Sequence, residues 1–136
     1  MNTNTNKTPT TIIGIGTDII EIDRFKSAMD KYGQKLLDRL FSIKEQEHCL
    51  KYSDPTPRFT ARFAAKESVV KSLGEGFGKN IGFLDIEILN EPSGKPTVHL
   101  SPKCQEHFKY PNLELSISHS QHYATAMVIA TSSAEN

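Results

Sequence analysis

The stretch "FTARFAAKESVVKSLG", residues 59–74, sets Glu67 and Lys71 four residues apart beside the small residues Ala64 and Ala65. On a helix an acid and a base at that spacing share a face, and in solvent the pair contributes about 0.2–0.5 kcal/mol. A second use is chemical. A carboxylate can hold a hard divalent cation whose shell is completed by phosphate oxygens and water. A lysine one turn away can then place a point charge on the same phosphates. Asp18, just past the glycines of "GIG" at residues 14–16, is the candidate second carboxylate for magnesium. Spacing leaves both readings open, because it cannot show that Asp18 and Glu67 meet.

Other patterns carry less. "GEGFGKN" resembles a phosphate loop, but three residues separate Gly74 from Gly78 where four are needed. Asn80 also stands where a hydroxyl would hold magnesium. Cys104 with His107, and His119 with His122, are half-sites for zinc without a partner pair at zinc spacing. Arg24, Lys31, Lys35 and Arg39 fall on one face if their helix is continuous. That stripe reads as a solvated face or as a docking surface for an acidic partner, and Asp30 and Asp38 interrupt it.

The elements that must position these residues are legible in outline. "TIIGIGTDIIEI" is β-branched and predicts a strand through about Gly16, with Asp18 at its end and glycines where another backbone comes close. Phe25, Met29, Tyr32, Leu36 and Leu40 recur at helical steps, with a break expected at Gly33. Thr56 is the expected cap and Pro57 the first residue of the central helix, with Phe59, Phe63, Val70 and Leu73 as its core stripe. "IGFLDIEILNEPSGKPTVHL" predicts a hairpin turning at "NEPSGKP". "NLELSISHSQHYATAMVIAT" predicts a strand, a short polar turn near residues 119–122 and a buried strand. The expected class is α+β: an N-terminal strand and helices packed on a mostly antiparallel sheet.

A chain of 136 residues fits one domain, expected over residues 11–136 behind a frayed, disordered polar tail at 1–10. Zero formal net charge argues against a nucleic-acid footprint. Cys49 and Cys104 form no C-x-x-C and read as reduced thiols. Without a signal-peptide core or a long apolar run, no membrane role is expected and the location reads as cytoplasmic.

Five fragments in order change the weight of these signals. "GIGTDIIEIDRF", "FSIKEQEH", "RFTARFAAKESVVKSLGEGFG", "NEPSGKP" and "LSISHSQHYATAMVIA" resemble the small bacterial 4′-phosphopantetheinyl transferases, the holo-acyl-carrier-protein synthase family. The resemblance covers about residues 11–131, and Phe63, Lys66, Glu67 and Lys71 stand where the family pattern wants them. It implies that fold, and transfer of the phosphopantetheine arm of coenzyme A to a serine of apo-acyl carrier protein in fatty acid biosynthesis. Adenosine 3′,5′-bisphosphate would be released. It implies Asp18 and Glu67 as magnesium ligands, with Lys71 completing the catalytic set, and no side chain assigned as base. His119, Arg62 and Lys95, beside Lys71, are the implied coenzyme A contacts. Arg24, ahead of Lys31 and Lys35, is the implied docking residue for the acidic carrier, and a homotrimer with coenzyme A between subunits is implied. The alternative is a non-catalytic module that binds coenzyme A or the carrier. Ala64 and Ala65 are expected to let a strand or the cofactor come close.

Overall fold

In this computed structural model residues 10–133 are described, so the expected tail lies, but for its last residue, outside the described residues. The chain runs β1 (Ile12–Glu21), α1 (Ile22–Tyr32), α2 (Gln34–Leu40), α3 (Ile43–Leu50) and α4 (Thr56–Ser72). A 3₁₀ turn (Phe83–Asp85), β2 (Ile86–Asn90), β3 (Pro96–Leu100), α5 (Pro102–His107), β4 (Asn112–His119) and β5 (Tyr123–Thr131) follow.

Helix α4 is the axis of the molecule, and β1 crosses it at backbone contact. A Cβ at Gly14 would sit 1.9 Å from the Ser72 carbonyl oxygen, and one at Gly16 would sit 1.8 Å from that of Ser68. No side chain fits at either distance, which is the close approach expected of these glycines. The small residues of α4 answer from the other side. Ala64 and Ala65 are fully buried in a core with Ala126 and Val128 of β5, so they admit a strand and not a cofactor. Ser68 reinforces the contact, its hydroxyl donating to the Ala126 carbonyl at 3.2 Å.

Several boundaries differ from expectation. Strand β1 does not stop near Gly16. It pairs with β5 as far as Glu21, which places Asp18 mid-strand opposite Ala126. The reason is the partner strand, since ladder hydrogen bonds continue wherever β5 supplies them. Thr56 is the first helical residue and not the cap. Pro55 holds the cap position, and the Asp54 carboxylate accepts the Thr56 N–H at 3.1 Å. Phe59 and Val70 are buried as expected, but Phe63 and Leu73 are only half-buried. The stripe gives way to burial around most of α4, because strands pack on one side and α1 and α3 on the other.

The strands are antiparallel, as expected, and form two sheets. One is three-stranded in the order β1-β5-β4, and the other is the β2-β3 hairpin. In register, Asp18 on β1 and Ile117 on β4 flank the same Ala126 of the central strand. The far face of this sheet leaves Ile13, Ile15, Ile19 and Met127 exposed. Gly33, at φ 65°, separates α1 from α2 as expected. The condition for a continuous basic face through Arg24, Lys31, Lys35 and Arg39 is therefore not met.

Candidate active site

Opposite edges of the three-stranded sheet carry opposite chemistry. At the β1 edge, Lys71 Nζ lies 3.2 Å from Asp18 Oδ1 and donates to the Thr17 carbonyl at 3.0 Å. Glu67 sits one turn earlier on α4. Burial pushes its carboxyl above the usual range and the Asp18 charge pushes the same way, while Lys71 opposes them. The structure thus brings Asp18, Glu67 and Lys71 together. The lysine pairs with the distant aspartate, where spacing alone had offered Glu67.

Among the described residues no three His, Cys, Asp or Glu side chains gather as a metal cluster. Two carboxylates suffice for magnesium when phosphate oxygens and water supply the rest. The donor set fits that ion: hard oxygen ligands, and a carboxyl whose ionisation is opposed by its neighbour and would be favoured by a cation.

Lys66, beside Glu67 in the motif, faces elsewhere. Its ammonium is fully buried, 2.8 Å from Glu45 Oε1, and donates to the carbonyls of Leu40 at 2.6 Å and Phe83 at 3.0 Å. Glu45 also accepts the Ser42 and Ile88 N–H groups, each at 2.8 Å. Burial pulls the Lys66 pKa down and Glu45 opposes it. This pair ties α2, α3, α4 and β2 together.

At the β4 edge a cleft of about 410 Å³ is cationic. Arg62 is 5% exposed there; its Nη2 donates to the Asn90 carboxamide and its Nε has no hydrogen-bond partner. Arg58, one turn earlier on α4, lies 4.0 Å over the Tyr52 ring, and its Nη1 is 2.8 Å from His119 Nε2. Among the described residues neither arginine has a carboxylate within ion-pair distance. Nearby, burial lowers the His48 pKa, and the charges of Arg62, Lys51 and Arg58 add to that. Burial pushes the Cys49 thiol up to about 11 despite Arg62. Cys49 and Cys104 are both free and buried.

Of the expected nucleotide contacts, Arg62 and His119 line this cleft. Lys95 does not: it is exposed, 4.0 Å from Glu114, although its neighbours Gly94 and Pro96 are in the wall. Arg58 and Tyr52 went unread in the sequence. The signal was the Arg58–Arg62 spacing of four, which puts both on one face of the helix. Arg24 borders a second cleft, of about 490 Å³, with Ile19, Phe25, Phe63 and Tyr123. Lys31 lies over the Tyr32 ring and is exposed, as is Lys35.

The sequence model of the 4′-phosphopantetheinyl transferase superfamily matches residues 14–128. The chain belongs to this family. A holo-[acyl-carrier-protein] synthase of Protochlamydia amoebophila is 50% identical over 120 residues, covering 88% of this chain and 98% of that protein. One from Chlamydia felis is 52% identical over 116 residues, covering 85% and 94%. The crystal structure of the Helicobacter pylori holo-[acyl-carrier-protein] synthase in complex with coenzyme A superposes with a TM-score of 0.80 at 34% identity. It covers 85% of this chain and 98% of that one. The protein is thus an enzyme, a phosphopantetheinyl transferase with the α+β fold of its structural neighbours.

Proposed function

We propose that this protein transfers the 4′-phosphopantetheine arm of coenzyme A to a serine hydroxyl of an apo-acyl carrier protein. The reaction is magnesium-dependent, releases adenosine 3′,5′-bisphosphate and serves fatty acid biosynthesis in the cytoplasm. The observation that carries this reading is the meeting of Asp18, Glu67 and Lys71 across β1 and α4. The names of the relatives and the coenzyme A-bound neighbour support the substrate pair.

The chemistry asks for a serine oxygen to attack the β-phosphorus of a pyrophosphate that is already negative. Asp18 and Glu67 would hold magnesium, which when bound neutralises charge building on the leaving phosphate. Lys71, at the rim of the same site, exchanges Asp18 for a phosphate oxygen as a point charge. The cleft with Arg62 and His119 binds the nucleotide end and orients the pyrophosphate, removing entropy from the encounter. Arg24, beside the apolar cleft that Phe63 lines, meets the acidic carrier, with Lys31 and Lys35 farther along. No side chain in the site is assigned as base for the serine proton.

Two features support a homotrimer sharing its sites. The carboxylate edge and the cationic cleft lie on opposite sheet edges, with β5 between, and the face bearing Ile15, Ile19 and Met127 is apolar and exposed. The described residues act in it as a single domain, and the last three of the expected span 11–136 lie outside the described residues.

Intact-mass spectrometry of an apo-carrier incubated with the protein, coenzyme A and magnesium tests the reaction. A gain of one phosphopantetheine that EDTA abolishes is the expected result. Coenzyme A binding with no gain on any competent carrier would leave a binding module instead.

A further inference from the structure

We infer that Lys71 is a placeholder for the divalent cation on Asp18, so that metal and coenzyme A each bind more tightly when the other is present. This rests on the function proposed above and deepens it, by assigning the order in which that site fills.

The carboxylates themselves have little freedom to adjust. Asp18 lies mid-strand in β1, whose backbone is pressed against α4 at Gly14 and Gly16. Its carbonyl accepts the Thr125 hydroxyl of β5 at 3.0 Å. Glu67 belongs to the helix that β1 crosses. Lys71 is the movable member. Its side chain is 51% exposed, and two acceptors on β1 hold the ammonium: Asp18 Oδ1 at 3.2 Å and the Thr17 carbonyl at 3.0 Å. Lys66, five residues earlier on the same helix, is the opposite case. It is fully buried among three acceptors, and leaving them would strand the charge of Glu45.

An exposed pair such as Lys71 with Asp18 contributes little to stability, because solvent screens it. It still sets a like charge beside the oxygen that a cation would need. In the ligand-free protein the ammonium must leave Asp18, or remain as a repelling neighbour, when magnesium binds. A pyrophosphate changes that balance in two ways. Its oxygens fill places in the metal's shell, and its negative charge offers the ammonium another partner. With Lys71 drawn off Asp18, the carboxylate is free for the metal. Coupling of this kind is reciprocal, so the metal strengthens coenzyme A binding by the same factor. A free cation is then disfavoured until the substrate that needs one has arrived.

Calorimetry of magnesium binding, without carrier, measures the coupling in the absence of coenzyme A and at concentrations that saturate each variant. Magnesium titrated into coenzyme A alone is the blank. Wild-type protein should bind magnesium about tenfold or more tightly with coenzyme A present than without it. Ligand-free Lys71→Met should bind magnesium about fivefold to tenfold more tightly than ligand-free wild type. With coenzyme A present the two should agree within about twofold, so the coupling factor falls. A lysine that acts through its field from a fixed position would tighten both states equally and keep the factor. That result, or an unchanged ligand-free affinity, would overturn the inference. If Lys71→Met does not fold, Lys71→Gln decides by the same ratio. Wild-type protein that binds coenzyme A but no magnesium in either state would instead refute the metal role in the proposed function.

Discussion

The two edges of the three-stranded sheet are built by different means. At the β1 edge, charges of opposite sign sit together: Asp18 and Lys71 are 3.2 Å apart with Glu67 in reach of both fields. At the β4 edge, charges of one sign are held by neutral partners, Tyr52, Asn90 and His119. A site that must change its partners during a reaction benefits from a lysine that can move between carboxylate and phosphate. A site that only recognises benefits from guanidiniums fixed in advance. On the proposed function, pre-ordered charge marks binding and exchangeable charge marks chemistry.

Glu67→Gln strikes the reacting edge and should show the largest effect. Transfer should fall by about 10³-fold, the scale for loss of a transition-state electrostatic contact, with the cleft's affinity for coenzyme A largely kept. The measurement is carrier modification by intact mass, alongside calorimetry without carrier. Turnover near wild type in that variant would end the metal-ligand role of Glu67.

Lys66→Met tests whether the two edges depend on one scaffold. Removing one partner of a buried pair leaves Glu45 uncompensated, so chemical denaturation should show a loss of about 3–5 kcal/mol. Both edges should then fail together as the protein unfolds, with neither failing selectively. A stable variant would mean that Glu45 is satisfied by the Ser42 and Ile88 N–H groups alone.

Arg62→Met strikes the recognising edge. It should raise Kd for coenzyme A by about tenfold or more while leaving kcat at saturation near wild type. A fall in kcat with unchanged Kd would reverse the division of labour between the edges.

The smallest effect concerns pH. Glu67's folded pKa is raised above its unfolded value, so its contribution to stability is fully present below the unfolded pKa and is lost as pH rises through the folded pKa. Metal-free wild type should therefore lose stability relative to Glu67→Gln over that window, by a Tm difference of about 1–3 °C. Asp18→Asn removes one of the raising charges and should move the window to lower pH. An unchanged window would show that burial, opposed by Lys71, sets it without Asp18.

Periodicity made much of this visible beforehand. Steps of four and three among Phe25, Met29, Tyr32, Leu36 and Leu40 marked the first helices, and Gly33 marked their break. Alternation in "NLELSIS" marked β4, and "NEPSGKP" marked the hairpin turn. These signals are local, set by side-chain period and turn chemistry within a few residues. The short α5 and the 3₁₀ turn went unread, since six- and three-residue elements are too brief for a period to emerge.

Residue types and spacing by themselves determined the helix and strand succession, the glycines of β1 and the list of acids and bases able to do chemistry. The motif order determined the family. Tertiary structure alone decided the pairings: Lys71 with Asp18, Lys66 with Glu45, and Arg58 with Tyr52 and His119. It also decided that β1 runs on to Glu21 and that the Asp18–Glu67 carboxylates and the Arg58–Arg62 guanidiniums fall at opposite sheet edges. The physical reason is that local periodicity fixes which face a residue occupies, whereas the partner on that face comes from a segment far away in the chain. Only the packing of β1, β4 and β5 around α4 brings those segments together.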